Sequence, residues 1–329
     1  MDVKLILPGI PDKKAPYALA MTHYASLLDS GVKIYEYTPG FVHAKVFVSD
    51  GIKAVVGTIN LDYRSLYHHF ENAVWMRGTD CIAQCRWLHE RFLLEMRENS
   101  GCIRLCRSGA EVDEAIRQGK MAALLSIEGA DLLECDEKNL ETAHEWGVRL
   151  LNPVWNRANS LCGTNCEEPE RGLSERGKSF VRRMEALRIY PDVSHISDAG
   201  FWDIIKTAHG PVVASHSNAR AVCAHRRNLT DDQFRAIRDS GGVVGLNLYR
   251  DFVVPRGTME ELVAHVEHFL NLGGEKTLCL GGDLDGCEAL AAGMQGMQDM
   301  PKLYAALRER GYGQALLEDI FWNNLRRLL

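Results

Sequence analysis

From Cys102 onward, short apolar runs alternate with stretches of helical period. The runs cover residues 122–127, 148–151, 189–193, 212–214, 243–248 and 277–280. Helix candidates lie between or beside them at 112–117, 140–146, 174–187, 198–208, 231–239 and 259–272. The stretch 231–239 is punctuated at both ends: Asp231-Asp232 after Thr230 opens a helix, and Gly241-Gly242 stops it. Strict alternation of this kind makes successive strands parallel, with helices covering the sheet. Six strands fall two short of an eight-stranded barrel, so the expected fold is α/β with an incomplete barrel. Such a remnant leaves sheet edges and an apolar wall to be covered.

The first 98 residues have a different rhythm. Strand candidates at 3–7, 32–37, 44–48, 52–56 and 73–76 are separated by Gly, Pro or Asp, with a helix expected over 17–28. A strong amphipathic helix follows at 80–98, with Ile82, Trp87, Phe92 and Leu93 spaced for burial. It ends at Asn99-Ser100-Gly101, so the expected domains are 1–98 and 99–329. The formal charge of −6 comes from the second part, the first being near neutral. No basic run or stripe occurs, which argues against a nucleic-acid partner. The ten scattered cysteines fit reduced thiols in a cytoplasmic protein. The opening Met1-Asp2-Val3-Lys4 lacks the charged flank and apolar core of a signal peptide. No run of about 18 apolar residues suggests a membrane span.

Four chemical groups sit where the apolar runs of the second part end. They are Glu128 in Ser-Ile-Glu-Gly, His195 in Asp-Val-Ser-His, His216 in Ser-His-Ser and Asp283 in Gly-Gly-Asp-Leu-Asp-Gly. In parallel α/β folds, side chains at strand ends project into the site. Imidazoles and carboxylates converging from separate strands are what a zinc ion requires.

Residues 100–329 resemble the membrane (renal) dipeptidase family of zinc peptidases, a branch of the amidohydrolase-like barrels. The carrying residues include Leu125-Ser126-Ile127-Glu128-Gly129, Asp192-Val193-Ser194-His195, Ser215-His216-Ser217-Asn218-Ala219-Arg220, Arg227-Asn228-Leu229-Thr230-Asp231 and Gly281-Gly282-Asp283-Leu284-Asp285-Gly286. The resemblance implies two zinc ions sharing a bridging Glu and a bridging water. By it, Glu128 bridges the metals and His195 and His216 bind one of them. Asp283 passes a proton from water to the leaving amine, and Arg227 holds the carboxylate of a dipeptide substrate. The family's opening strand carries His-x-Asp for the other zinc, and no His-x-Asp occurs in this sequence. One metal site therefore keeps three ligands and the other only Glu128. The family's substrate-side His after the fourth strand is matched here by Trp155.

In the first part, His43-Ala44-Lys45 is followed by Asp50, Gly57, Thr58 and Asn60. Residues two apart on a strand share a face, so His43 and Lys45 point the same way. An imidazole beside a fixed ammonium suits attack on phosphorus. With Gly57-Thr58-Ile59-Asn60-Leu61-Asp62-Tyr63-Arg64-Ser65 and Phe70-Glu71-Asn72, this segment resembles the phospholipase D superfamily, specifically the C-terminal half of bacterial cardiolipin synthases. The expected fold is thus an amidohydrolase-like barrel remnant preceded by a phospholipase D-like α/β half-domain. By this resemblance His43 is a nucleophile or acid, and Lys45 and Asn60 grip the phosphate of a phospholipid. That family builds one site from two copies of the motif, so a homodimer would be required. Three functions remain open: a dipeptidase impaired by its missing ligands, a dimeric phosphatidyltransferase, and a non-catalytic fusion of two truncated enzymes.

Overall fold

The structure, a computed structural model of the chain, describes residues 3–8, 17–18, 21–38, 46–49, 53–57, 73–77, 81–253, 258–284, 286–287, 289–291 and 293–329. The chain divides into two compact units, Met1–Thr79 and Asp80–Leu329.

In the first unit, β1 (Lys4–Pro8) pairs in parallel with β2 (Lys33–Tyr37), Lys4 opposite Lys33. Parallel neighbours need a crossover, and the helix Tyr24–Asp29 lies on it, closed by Gly31 at φ +82°. Strands β3 (Val46–Ser49), β4 (Lys53–Gly57) and β5 (Ala73–Arg77) form an antiparallel sheet in that order. His43, Lys45 and Asn60 lie outside the described residues.

The second unit is built on a succession of parallel pairings. A short pair, β6 (Ile103–Leu105) with β7 (Met121–Ala123), comes first. Then β8 (Leu125–Glu128) pairs with β9 (Val148–Asn152), and β9 with β10 (Tyr190–Pro191). Single bridges carry the wall onward, Asp192 to Val213 and Ala214 to Val244. The wall ends with β11 (Val244–Leu246) paired to β12 (Leu278–Leu280). Neighbours follow sequence order throughout, as in a β/α barrel. Among the described residues β8 and β12 are each paired on one flank only, so the barrel wall is incomplete.

Two expected strands differ in extent. The run 122–127 is split at Leu124 into β7 and β8, which pair with different neighbours. The run 212–214 shrinks to isolated bridges because the chain turns at Ser215 to carry His216 inward. That turn is possible because Gly245 and Gly281 have no side chains. A Cβ on either would lie within 1.9 Å of the Ser215 carbonyl oxygen. Gly245→Ala should therefore destabilise the fold by about 1–3 kcal/mol, as overpacking does. Chemical denaturation checks this, and a change below about 0.5 kcal/mol would show that the backbone yields freely.

The helices fasten the wall from outside. Ser174 caps Glu175–Ala186 by accepting from the Gly177 amide, and Thr230 with Gln233 forms a capping box on Asp231–Asp239. Their apolar faces supply Phe180, Phe201, Phe234 and Phe269, all fully buried, with Phe234 stacked on Phe269 at 4.2 Å. The helix Cys81–Glu98 belongs to this unit by packing. Cys85 is buried in the cluster around Leu133 and Leu140, and His89 stacks on Trp146 at 4.8 Å. The helix precedes Asn99-Ser100-Gly101 and is part of the compact unit Asp80–Leu329. Of the residues spaced for burial, Trp87 is instead 60% exposed: the helix presents Cys85 and His89 inward, one turn-face away from Trp87.

His265, on the helix Met259–Asn271, is completely buried. The Ala219 amide donates to its Nδ1 (3.1 Å), so its Nε2–H donates to the Val253 carbonyl (2.7 Å). Only the neutral ring fits both bonds, and burial pushes it down to about 4. The unfolded ring titrates at about 6.5. Between these values the unfolded chain binds the extra proton, so stability should fall as pH drops from about 6.5 to about 4. Denaturation titrations across that window check this, and His265→Asn should flatten part of the slope.

Candidate functional site

Glu128 is the last residue of β8, opposite Asn152 of β9. His195 and His216 follow the bridged residues 192 and 213–214. The two histidine segments are stitched together by buried Asp192. Its Oδ1 accepts from the Ser194 amide (3.0 Å), the Ser194 hydroxyl (2.8 Å) and the Ser215 amide (3.0 Å). Ser194 Oγ in turn accepts from the His216 amide (3.1 Å). This frame fixes the turn from which each imidazole leaves its strand.

The side chains converge. Glu128 Oε1 lies 2.7 Å from His195 Nε2 and 3.4 Å from His216 Nε2, and the two Nε2 atoms are 3.0 Å apart. Both histidines are almost fully buried, while the Glu128 side chain is 45% exposed, so the cluster opens to solvent on the carboxylate side. Among the described residues this is the one group of three or more His, Cys, Asp or Glu donors that could hold a metal ion.

The outer nitrogens define what the inner ones offer. Arg227 Nη2 donates to His195 Nε2 at 3.1 Å, and arginine cannot accept. His195 Nε2 therefore carries a lone pair, and its Nδ1–H donates to Asn156 Oδ1 (3.1 Å). Ser215 Oγ lies 2.7 Å from His216 Nδ1. Glu128 sits well below the usual carboxylate range and is ionised at neutral pH. Burial pushes His195 down to about 4 against the opposing pull of Glu128. A neutral imidazole and an ionised carboxylate are the forms that bind metal. Electron pairs thus meet at one point with too few protons to share, and a cation is the group that satisfies them. The donor set fits a divalent metal.

Asp283 and Arg227 complete the surroundings without joining the three donors. Asp283 has φ +51°, an uncommon conformation for a side-chain-bearing residue. Its Oδ2 accepts from Asn247 Nδ2 (3.2 Å), which also lies 3.4 Å from the His216 carbonyl. Asn247 therefore ties the aspartate loop to the histidine turn. Arg227 is 5% exposed, lies over the Phe252 ring at 5.4 Å, and has a buried Nη1 without a hydrogen-bond partner. Burial lowers it to about 10 while Asp192, Asp283 and Glu128 hold it up, so it stays cationic at neutral pH. Trp155 is 52% exposed, and its Cβ would lie 3.3 Å from a Cβ added to Gly129, which follows Glu128.

A family profile described as "Membrane dipeptidase (Peptidase family M19)" matches residues 83–329. The chain belongs to the membrane dipeptidase family. A metallo peptidase of this family from Rhodobacter sphaeroides, solved with a phosphinate mimic of the dipeptide L-Ala-D-Ala, superposes with a TM-score of 0.69 at 32% identity. The match covers 73% of this chain and 71% of that one. An uncharacterized protein in the pqqA 5′ region of Klebsiella pneumoniae is 36% identical over 243 residues, 70% of this chain and 89% of that protein. The membrane dipeptidase assignment makes the chain a metallopeptidase by family, with an amidohydrolase-like barrel. Residues 1–92 match a second profile, "Cardiolipin synthase, PLD-like domain". An uncharacterized protein of Streptococcus mutans is 70% identical over 86 residues, 26% of this chain and 19% of that protein.

Sequence reasoning selected the three donors that the fold brings together. It missed Asp192, Ser194, Asn156, Ser215 and Asn247, which orient them. A signal for two of these was present: Asp192 and Ser194 are polar residues inside an otherwise apolar strand end.

Proposed function

We propose that residues 99–329 hydrolyse dipeptides with one zinc ion held by Glu128, His195 and His216. The observation that carries this reading is the convergence of these three donors at the carboxyl ends of the barrel strands. Mixed nitrogen and oxygen donors suit zinc, and three protein ligands with one open position is the usual count for a catalytic site. A zinc ion there supplies Lewis acidity, lowering the pKa of water from 15.7 towards about 7.

The chain's own residues do the rest. Arg227, cationic and with its Nη1 unpartnered, receives the substrate carboxylate, a task for a planar two-pronged donor. Asp283, fixed by Asn247, moves a proton from the attacking water to the departing amine. The dipeptide mimic bound by the Rhodobacter relative supports this substrate class. A second ion would find only Glu128, since no His-x-Asp is present, so we place turnover below that of a two-metal site. A cytoplasmic location is likewise proposed, on the ten scattered thiols.

A second reading rests on the cardiolipin synthase match over residues 1–92. In it, two chains pair their His43, Lys45 and Asn60 to transfer phosphatidyl groups of phospholipids. If neither activity exists, the chain is a non-catalytic fusion. One measurement separates these readings. After dialysis, metal analysis should find about one zinc per chain, and a dipeptide assay should be silenced by chelator and restored by zinc. Two zinc ions per chain, or none, would reject the one-metal site. Phosphodiester turnover that survives chelator would point to the first segment, whose His-Lys chemistry uses no metal.

A further inference from the structure

At the opposite end of the same strands lies a cavity of about 540 Å³ that no part of the proposed hydrolysis uses. Arg149, near the start of β9, and Tyr190, which begins β10, line it with Arg107, Arg188, His144 and Ser108. Three residues at about 3.3 Å each separate Arg149 from Asn152 at the site end of β9, so the two places are roughly 10 Å apart along the strand. No Asp or Glu side chain lines the cavity, although the chain as a whole is acidic.

Arg149 is fixed in place by backbone carbonyls. Arg149 is half-buried, and the Arg107, His144 and Val148 carbonyls accept from its Nε and Nη1 at 3.1, 3.3 and 2.8 Å. Its Nη1 also donates to His144 Nδ1 at 3.3 Å, while Nη2 has no partner among the described residues. Arg107 lies along Gly147, where a Cβ would meet its Nε at 3.0 Å. Burial and the Arg107 charge lower Arg149, with the Glu111 carboxylate and Tyr190 pulling the other way. None of Arg107, Arg149 and Arg188 is ion-paired to a carboxylate among the described residues. Ser108 caps the helix Gly109–Arg117 by accepting from the Glu111 amide, and the Glu111 carboxylate accepts from the Arg107 amide (2.7 Å).

We propose that this cavity binds a soluble organic phosphate monoester, its phosphate held by Arg107, Arg149 and Arg188. Three guanidiniums match a doubly charged oxyanion better than a carboxylate. The volume lies within the range of small-ligand pockets and exceeds what bare phosphate fills, so an organic body is expected beside Tyr190.

The test is calorimetric titration of the full chain with phenyl phosphate, inorganic phosphate and benzoate at constant ionic strength. Phenyl phosphate should bind at least tenfold more tightly than benzoate and more tightly than inorganic phosphate. Arg107→Ala/Arg188→Ala, both at exposed positions, should weaken it at least tenfold without lowering the melting temperature of the ligand-free protein. Arg188→Lys should recover part of the affinity, and Arg227→Ala should leave binding unchanged. Equal binding of benzoate would overturn the phosphate assignment. Binding untouched by the double variant, or abolished by Arg227→Ala, would overturn the site.

Discussion

Replacing His216 by alanine should remove the bound zinc and lower dipeptide hydrolysis by on the order of a thousandfold or more, because a lost ligand forfeits both the ion and its Lewis acidity. His195→Ala should do the same. The two measurements are independent: metal content by elemental analysis, and kcat/KM on a dipeptide. The ring of His216 is held by Ser215 and its backbone by Ser194, so the cavity left by alanine lies in a frame that otherwise stands. Unchanged turnover in His216→Ala would assign the activity elsewhere. Asn156→Ala supplies the graded control. It leaves all three donors present but frees His195 Nδ1, and a fall of roughly 10–100-fold is the expected cost of losing such an orienting partner.

That contrast also explains what could be read from the sequence. Glu128, His195 and His216 were legible because each ends an apolar run, and period and polarity change together there. A strand terminus is a topological place, so parallel alternation alone predicts that such residues meet. Asn156 carries no comparable mark. It sits in the loop after β9, where the backbone path and not a period decides what it touches. Asn247 is similar: it lies just past β11, and only the folded turn at Asp283 gives it a partner.

The missing strands were visible as a count, six where a closed barrel has eight, and the one-sided pairing of β8 and β12 is the structural counterpart. The run 212–214 looked like its neighbours, yet its pairing is cut short by a turn that depends on glycines thirty and more residues downstream. Trp87 fitted a helical period, but the period names only a stripe. Which stripe faces inward was set by Cys85 and by the stacking of His89 on Trp146. The roles expected of His43, Lys45 and Asn60 rest on motif spacing and on the match over residues 1–92.

Arg227→Ala should lower kcat/KM on free dipeptides by roughly 10²–10³-fold, chiefly through KM, since truncating one partner of a buried charge pair costs about 2–5 kcal/mol. Two roles are open to this guanidinium, and the variant separates them. Nη2 already donates to His195 Nε2, whereas Nη1 is buried and unsatisfied until something arrives. If Arg227 serves the substrate, zinc content stays at about one per chain, and a dipeptide amide, which lacks the terminal carboxylate, is cleaved equally by both proteins. If it serves His195, metal affinity falls and the amide suffers with the acid. Arg227→Lys sharpens the test. A point charge on a flexible stem keeps the positive field but loses the fork, so it should recover only a small part of the lost affinity. A lysine variant with full activity would mean that charge alone, without two-pronged geometry, holds the substrate.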